Sequence, residues 1–366
     1  MLYISPLRAL AFDIEKNLRA PLKGIEFAAE RLGEGFTAPE VGMRTGDTPS
    51  NDRQKLIRRP PDLLITTPES LYLMCTSAAR ETLIGVETVI IDEIHAMATT
   101  KRGAHLALTL ERLELITEKP PQRIGLSATQ RPLEEIAEFL GGFSEPGVRR
   151  PVKIVDAGIR KDLEVEVVIP LEDMSKLGQR QPADLQSGTA GSGMGDSRSS
   201  IWPSIYPEIL KRILANRTTI IFCNARRAAE RLAAKLNELA VQEGIPGIVD
   251  PETGHLVEEL VRAHHGSLAR EQRVVIEDQL KRGELRAIVA TSSLELGIDM
   301  GAVDLVIQVE SPGAVSRGLQ RIGRAGHQVG EPSRGSIFPK HRGDLLEAAV
   351  VTRRMIDGEI ESSRYL

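Results

Sequence analysis

Two adjacent carboxylates, Asp92 and Glu93, directly follow the apolar run of residues 89–91. A short, unbroken run of β-branched residues is typical of a strand covered on both faces, as in a parallel sheet. In an open α/β sheet, ligands bind beyond the carboxyl ends of the strands. Adjacent acids there could divide the work, because one can hold a divalent metal while the other orients or deprotonates water. The alternative is a strand end whose Asp92 caps the next helix.

A second candidate cluster is QRIGRAGH, residues 320–327, in which Arg321 and Arg324 are three positions apart. In a helix this spacing places both side chains on one face. A pair of guanidinium groups can stabilise the charge of a transferring phosphoryl group. Gly323 and Gly326 allow the backbone to approach another group closely. The alternative is a solvated basic turn.

Small hydroxyl side chains follow other predicted strands. Ser127 and Thr129 flank Ala128 and could relay a hydrogen bond between a nucleotide site and a neighbouring surface, or they could form an ordinary strand-end turn. Residues 290–301 place hydroxyls, two acids and a glycine after another strand. The pair His264 and His265 has no third ligand at metal-binding spacing, which argues against a zinc site.

The elements that must position these groups alternate between strand and helix along the chain, which predicts parallel α/β sheets. We expect a first domain at residues 1–155 and a connecting segment at 156–204, with a flexible linker at about 176–200. A second α/β domain is expected at 205–343, followed by a helical segment at 344–366. The predicted strands are residues 2–5, 63–67, 89–91, 124–127, 219–222, 287–291 and 303–307. The predicted helices include residues 6–19, 133–140, 226–242 and 344–355, and a helix after residue 93 carries Leu106, Leu108, Leu110, Leu113 and Leu115.

The totals describe an ordinary globular chain of 366 residues, with 41% hydrophobic and 27% charged residues. No run approaches the length of a membrane helix, so we expect no membrane partner and a cytoplasmic location. Cys75 and Cys223 are isolated, which predicts buried thiols in a reducing compartment. The formal charge of −4 excludes binding of nucleic acid by bulk attraction and leaves only a local groove for that role.

Read in order, nine stretches resemble the motif series of superfamily 2 helicases, in particular the large helicase-related (Lhr) branch. In the first half, these stretches are PLRAL (6–10, motif Ia), TGD (45–47, near motif Ic), TTPESL (66–71, motif Ib), DEIH (92–95, motif II) and SAT (127–129, motif III). In the second half, they are IFCNARRAAERL (221–232, motif IV), HHGS (264–267, motif IVa), ATSSLELGIDMG (290–301, motif V) and QRIGRAGH (320–327, motif VI). The branch is suggested by DEIHAMATTKRGAHLAL, by SIWPSIYPEIL and by the histidine that ends motif VI.

The resemblance implies two RecA-like domains of the P-loop NTPase type that close over ATP and Mg²⁺. Asp92 would hold Mg²⁺ through water, and Glu93 would orient the attacking water. Arg324 would be the arginine finger, supported by Arg321. The resemblance assigns further residues to the ATP side, namely His95, Gly297, Asp299, Gln320, Gly323 and His327.

The same resemblance implies a single-stranded nucleic acid partner, with DNA favoured and RNA or a hybrid possible. Contacts to phosphates position a strand without reading its sequence. The implied strand contacts are Pro6, Arg8, Thr67, Pro68, Glu69, Asn224, Ser267 and Thr291, and the implied coupling residues are Ser127, Ala128 and Thr129. DNA repair is the usual association of the family.

Two features depart from the family pattern. Position 327 is histidine where many helicases have a second arginine, which puts its contribution of charge in doubt. No Gly-x-x-x-x-Gly-Lys-Ser/Thr phosphate loop occurs, and the chain has no Gly-Lys pair at all. We therefore expect an N-terminally truncated core with an incomplete first domain, which has a gap or an exposed edge beside the strand that ends at Ser127. At the other end, the family would continue into a winged-helix region.

Two classes of function remain open. The first is a nucleic-acid-stimulated ATPase that translocates along or unwinds a strand. The second is a binding module that keeps the strand contacts without ATP turnover, which the missing phosphate loop favours for this chain. A different nucleotide enzyme on the same sheet would not explain motifs V and VI together.

Overall fold

The computed structural model describes residues 1–128, 131–156, 162–171, 201–245, 259–297, 300–326 and 331–362. The chain divides into two compact units. The first contains residues 1–158, 296–299 and 361–366, and the second contains residues 159–295 and 300–360. The predicted linker at 176–200 lies outside the described residues.

The first unit is built on a five-stranded parallel sheet in the order β2-β3-β1-β4-β5. Leu2 on the central strand is in register with Leu64 on one side and Val89 on the other. One face of this centre is buried and the other is half-buried, which explains why its strands are short apolar runs. The strands are β1 (Leu2–Ile4), β2 (Val41–Arg44), β3 (Leu63–Thr66), β4 (Thr88–Ile91) and β5 (Gln122–Gly125).

Helices follow most of these strands, and a short antiparallel hairpin of β6 (Phe143–Glu145) and β7 (Val148–Arg149) comes last. The helices are α1 (Arg8–Leu32), α2 (Ser50–Arg58), α3 (Pro68–Cys75), α4 (His95–Ala98), α5 (Lys101–Glu114) and α6 (Leu133–Gly141). In α5, Leu106, Leu110 and Leu113 are buried at helical spacing. Leu108 and Leu115 were expected on the same helix, but Leu108 lies on its exposed face and Leu115 follows its end.

Three local predictions for the first unit were incomplete. Helix α1 was expected to end near residue 19, yet it continues through Pro21 to Leu32. Only Leu10 and Ala11 of this helix are buried, so the later turns depend on local helix stability rather than on an apolar pattern. Strand β2 and helix α2 were not predicted, because VGMR is too short and too mixed to show strand alternation.

Strand β5 lies at the edge of the sheet, since in the described part of the chain it pairs only with β4. The strand expected to end at Ser127 is therefore the edge strand of this sheet, and the expectation of an incomplete first domain stays a prediction. The other possibility, a gap inside the sheet, is wrong because the five strands are hydrogen-bonded without interruption from β2 to β5.

The second unit has a six-stranded parallel sheet in the order β10-β11-β9-β12-β13-β8. Every residue of β9, β11 and β12 is buried. The strands are β8 (Leu163–Val167), β9 (Thr219–Phe222), β10 (Val261–His264), β11 (Ala287–Ala290), β12 (Leu305–Val309) and β13 (Ser333–Phe338). The helices are α7 (Trp202–Ala215), α8 (Arg226–Gln242), α9 (Arg270–Arg282), α10 (Val315–Ile322) and α11 (Arg342–Asp357). Two parallel α/β sheets are thus confirmed.

Strand β8 differs from the expectation that residues 156–204 only connect two domains. It pairs in parallel with β13, with Leu163 opposite Ser333, and forms the edge of the second sheet. Its alternating burial, with glutamates at every second position, is that of an edge strand with one face on the unit. Strands β10 and β13 were also missed, since each contains charged or small residues that interrupt the apolar pattern.

Both cysteines are free and buried, as predicted. Burial raises the pKa of the Cys223 thiol to about 12. No helix in the described ranges is long and apolar enough to cross a bilayer.

Candidate functional site

The adjacent carboxylates lie at the carboxyl end of β4, as their position in the sequence predicted. The main-chain N–H of Glu93 donates to Oδ1 of Asp92 over 2.9 Å. Burial, followed by the charge of Glu93, raises the pKa of Asp92. Glu93 has a φ of 46°, in the left-handed region that residues with a side chain rarely adopt. Such local strain is typical of functional sites, where the surrounding structure holds it in place.

Tyr3 of β1, which the sequence did not single out, lies beside these two carboxylates. Asp92, Glu93 and Tyr3 together form what we call the carboxylate corner. The Tyr3 hydroxyl hydrogen-bonds to Asp92, and burial together with the nearby acids raises the pKa of Tyr3. Strands β1 and β4 are neighbours, with Tyr3 opposite Ile90, so the contact depends on sheet order rather than on local sequence. Among the described residues, no cluster of three or more metal-ligating side chains occurs. The half-buried carboxylate oxygens suit a hard cation held largely through water, as Mg²⁺ usually is.

His95 connects the carboxylate corner to the loop after β5. Its buried side chain accepts a hydrogen bond at Nδ1 from the main-chain N–H of Ala128 over 3.2 Å. The Ser127 hydroxyl lies 3.3 Å from the same nitrogen, and Oε2 of Glu93 lies 3.5 Å from it. Burial lowers the pKa of His95 to about 4, so the ring is neutral near pH 7. Thr129, the third predicted coupling residue, lies outside the described residues.

The segments after β1 and β3 carry the residues of the first unit that were expected to contact a nucleic-acid strand. Arg8 is exposed and pairs with Asp47 of the TGD segment. Thr67 is buried, and its hydroxyl donates to Ser70 over 3.1 Å. Pro6 and Pro68 are buried beside these residues. Glu69 pairs with Arg102, and this hydrogen bond lowers the pKa of the Glu69 carboxyl.

In the second unit, Arg321 is the centre of a buried polar cluster. Only 3% of Arg321 is exposed. Its Nε donates to Oε1 of Glu295 over 2.8 Å, and its Nη1 donates to Asn224 and Gln308 over 2.9 and 2.8 Å. The guanidinium carbon also lies 5.2 Å from the centre of the Phe222 ring. Burial lowers the pKa of Arg321, while the charge of Glu295 opposes that shift.

Arg324 follows α10 and donates from Nη2 to the main-chain oxygen of Glu295 over 2.8 Å. Glu295 therefore holds both arginines of this segment. The alternative of a solvated basic turn is wrong for Arg321, because its guanidinium is enclosed by protein acceptors. Gln320 and Gly323 are both half-buried at the end of α10, whereas Gly297 is exposed. The predicted ATP-side residues Asp299 and His327 lie outside the described residues.

Contacts within the chain itself explain why positions 323 and 326 of the QRIGRAGH segment are glycine. Gly326 has a φ of 76°, and a Cβ there would lie 2.8 Å from the main-chain oxygen of Pro332. A Cβ at Gly323 would lie 2.7 Å from the main-chain oxygen of Leu319. The predicted close approach of backbone is thus present, and the neighbouring group at each position belongs to the chain itself.

The remaining residues that were predicted to contact a nucleic-acid strand follow β9, β10 and β11. Asn224 donates from Nδ2 to the main-chain oxygen of Ser311 over 3.0 Å. The Ser267 hydroxyl accepts from Nη1 of Arg226 over 2.8 Å, and Thr291 is buried at the end of β11. His264 and His265 contact Glu277 and Glu230 over 2.8 and 3.0 Å, so each histidine of the pair lies against its own carboxylate.

In each sheet the predicted site residues therefore lie near the carboxyl ends of the strands, which all face the same way in a parallel sheet. The sequence missed the partners that hold these residues, namely Tyr3, Asp47, Arg102, Glu295 and Gln308. Asp47, Arg102 and Glu295 stand within stretches that resemble helicase motifs or the Lhr branch, but their spacing along the chain gives no sign of the pairs they form.

Comparison with known proteins agrees with this arrangement. Residues 1–137 match the DEAD/DEAH box helicase family, and residues 205–328 match the helicase conserved C-terminal domain. The chain therefore carries a DEAD/DEAH box helicase domain followed by a helicase C-terminal domain. Over its whole length it is strongly homologous to Lhr helicases.

Three relatives illustrate this homology. The "Lhr helicase/ probable uracil glycosylase" of Mycolicibacterium smegmatis is 52% identical over 100% of this chain, which spans 24% of that protein. The "ATP-dependent helicase Lhr-Core" of Methanocaldococcus jannaschii is 41% identical over 99% of this chain and is covered to 38%. The solved structure of Mycobacterium smegmatis helicase Lhr bound to ssDNA and AMP-PNP is 53% identical, with a TM-score of 0.84 over 100% of this chain and 43% of that one. The chain thus spans about a quarter to two fifths of the relatives it matches.

Proposed function

We propose that this chain is the core of an ATP-dependent, Lhr-type translocase that moves on single-stranded nucleic acid. The observation that carries the proposal is that the predicted site residues of the first unit lie together at the carboxyl ends of its strands. Loops after β1, β3, β4 and β5 place Arg8, Thr67, the carboxylates and Ser127 on the same side. Ligands of open α/β sheets bind at this edge.

On the ATP side, Asp92 is the residue that would hold Mg²⁺ through water. The metal, when bound, neutralises negative charge on the phosphates. Glu93 would orient the attacking water and accept its proton, because its carboxylate neighbours Asp92. Arg324 would stabilise charge on the transferring phosphoryl group, and Arg321 would hold the segment in place through Glu295. Gly297, Gln320, Gly323, Asp299 and His327 remain proposed neighbours of the nucleotide.

On the nucleic-acid side, the proposed contacts are Pro6, Arg8, Thr67, Pro68, Glu69, Asn224, Ser267 and Thr291, which offer hydroxyls, amides and one exposed arginine. Such groups bind phosphates and fix the position of a strand without reading its bases. The mycobacterial relative of known structure was solved with ssDNA, which favours DNA over RNA for this chain. Ser127 and Ala128 would relay changes between the two sides through His95. A cytoplasmic location and a part in DNA repair stay predictions.

A second candidate function is strand binding without ATP turnover. It is favoured by one observation, the absence of a Gly-Lys pair from all 366 residues. The phosphate loop normally supplies backbone amides and a lysine to the β- and γ-phosphates. We therefore propose that the chain as printed binds a strand and does not turn over ATP by itself.

The test is fluorescence anisotropy of a labelled dT oligomer of about 16 nucleotides, with unlabelled dT, rU and duplex DNA as competitors. We expect binding that weakens steeply with salt, as phosphate contacts require. We also expect dT to compete better than duplex DNA, and the dT-to-rU ratio decides between DNA and RNA. Absence of binding to any single strand at low salt and micromolar protein would overturn the proposal.

A further inference from the structure

Arg102, in the first turn of α5, joins two loops that are far apart in the sequence. Its Nη1 donates to the main-chain oxygen of Pro6 over 2.6 Å. Its Nη2 donates to Oε2 of Glu69 over 2.9 Å, and its Nε donates to the other oxygen of the same carboxylate. One guanidinium thus binds the loop after β1 and the first turn of α3 together. Lysine could not do this, because it lacks the planar fork of donors.

The backbone that carries Arg102 is fixed against the carboxylate loop. Thr100 caps α5 by accepting from the N–H of Gly103 over 3.1 Å, while its own hydroxyl donates to the Met97 oxygen over 2.8 Å. A Cβ at Gly103 would lie 2.1 Å from that same Met97 oxygen. Met97 belongs to α4, the short helix that begins at His95. Arg102 is therefore anchored to the short helix that follows Asp92 and Glu93.

We propose that Arg102 is a positioning residue for strand binding, which sets the separation of the loop after β1 from the loop after β3. These loops carry Arg8 and Thr67, so the inference rests on the proposed function. Arg102 would act through Pro6 and Glu69, not by touching the strand. Arg102 would also link contact with the nucleic-acid strand to the carboxylate corner, because Arg102 lies on α5, which follows Asp92 and Glu93 in the chain.

The ionic state of the pair separates this role from direct contact with phosphate. Arg102 holds the pKa of the Glu69 carboxyl below its ordinary value, so the pair carries no net charge. A residue that contacts a phosphate adds about 0.7 to the slope of log affinity against log salt for a single strand. A positioning residue changes the affinity and leaves that slope unchanged.

The experiment compares the full chain with Arg102→Ala, Arg102→Lys, Glu69→Ala and the double variant Arg102→Ala/Glu69→Ala. Lys101→Ala is the matched control, because it removes one positive charge from the neighbouring exposed position. Anisotropy with labelled dT oligomer is measured over a series of salt concentrations. Arg8→Ala serves as the reference for loss of a direct phosphate contact.

We expect Arg102→Ala to weaken binding about tenfold, the effect of losing a charge-assisted hydrogen bond, with the parental salt slope. Arg102→Lys should lose roughly three- to tenfold in affinity and should keep the thermal midpoint of the parent. This variant keeps the test decisive if Arg102→Ala does not fold. The double variant should bind no more weakly than the weaker single variant, because both changes break one link.

Parental affinity in both Arg102→Ala and Arg102→Lys would overturn the inference. A fall of the salt slope by about 0.7 in Arg102→Ala would also overturn it, since Arg102 would then be a direct contact. If the unsubstituted chain bound no strand, the proposed function would fail and the inference with it. Binding by the unsubstituted chain with unaffected Arg102 variants would remove the inference alone.

Discussion

The main-chain N–H of Ala128 donates to Nδ1 of His95 over 3.2 Å, which ties the loop after β5 to the loop after β4. A nitrogen that accepts a hydrogen bond cannot carry a proton, so the proton of the neutral ring is on Nε2. Burial acts in the same direction, because it lowers the pKa of His95 to about 4. The two loops are therefore linked by a neutral histidine.

The first prediction concerns the pH dependence of stability at His95. The folded pKa of about 4 lies below the ordinary value of 6.5, so the unfolded chain binds more protons between these values. The contribution of His95 is thus present above pH 6.5 and is lost as the pH falls toward 4. Between pH 7 and pH 5 we expect the free energy of unfolding of the first unit to fall by on the order of 2 kcal/mol. Hydrogen exchange of the β1 and β4 amides measures it.

The His95→Gln variant should lose most of that pH dependence. His105→Gln is the control, because His105 is exposed on α5 and should leave the dependence as it is in the parent. Asp92 opposes the trend, since its raised pKa lets the folded chain take up a proton as the pH falls. Comparing variants at the same pH removes much of this shared contribution. An equal drop in parent and His95→Gln would refute the assignment.

The second prediction concerns strain at Glu93, whose φ is 46°. Asparagine tolerates the left-handed region better than glutamine does. Glu93→Asn should therefore be more stable than Glu93→Gln by roughly 1 kcal/mol, although both remove the carboxylate. Hydrogen exchange of β4 reports the difference. The same two substitutions at exposed Glu87, which has no positive φ, should show no advantage for asparagine, and equal stability of the Glu93 pair would count against stored strain.

The third prediction concerns the buried pair of Arg321 and Glu295. Removing Arg321 leaves a carboxylate with only 14% side-chain exposure without its cation. We expect Arg321→Ala to lower the free energy of unfolding by about 3 kcal/mol. The single tryptophan, Trp202 on α7 of the second unit, follows this transition by fluorescence in urea.

Arg353→Ala is the comparison for that measurement. Arg353 forms an exposed i,i+4 pair with Asp357 on α11, and such pairs contribute roughly 0–1 kcal/mol. Arg321→Lys should fall between the two, since it keeps the charge and loses the fork of donors. Equal effects of Arg321→Ala and Arg353→Ala would show that the buried cluster does not stabilise the unit.

The fourth prediction separates two reasons for glycine. Gly326 and Gly313 have nearly the same φ, 76° and 74°. A Cβ at Gly326 would meet the Pro332 main-chain oxygen at 2.8 Å, whereas the nearest atoms at Gly313 are side-chain ends at 3.7 and 3.9 Å. Gly313→Ala should cost about 1 kcal/mol from the backbone alone. Gly326→Ala should cost roughly 1–3 kcal/mol more, and Trp202 fluorescence in urea would reveal equal costs if the clash were absent.

The parts of the fold that could be predicted are those with continuous apolar runs. Residues 219–222 and 287–290 are buried on both faces, and residues 89–91 are buried on one face and half-buried on the other, so hydrophobicity alone marks all three as strands. Strands β2, β8 and β10 lie at sheet edges and carry polar or glycine residues, and none of the three was predicted as a strand. The helix expected to end near residue 19 continues through Pro21 to Leu32, where most of its residues are not buried.

For the site, the sequence could predict which residues end strands but not which residues hold them. Asp92 and Glu93 follow an apolar run, and that position alone places them at the carboxyl edge of a parallel sheet. The Tyr3 hydroxyl reaches Asp92 because β1 lies beside β4, and Arg102 reaches Glu69 across 33 positions of sequence. Sheet order and side-chain direction decide these pairs, and neither leaves a pattern in one sequence.

The central claim is that this chain binds a single strand through its sheet-edge loops and does not turn over ATP by itself. The most direct measurement is ATP hydrolysis together with oligonucleotide binding in the same samples, for the parent and Glu93→Gln. We predict equal, salt-sensitive strand binding by both chains and no strand-stimulated hydrolysis by either. Strand-stimulated hydrolysis by the parent that Glu93→Gln abolishes would contradict the claim about turnover, and absence of strand binding by the parent would contradict the claim as a whole.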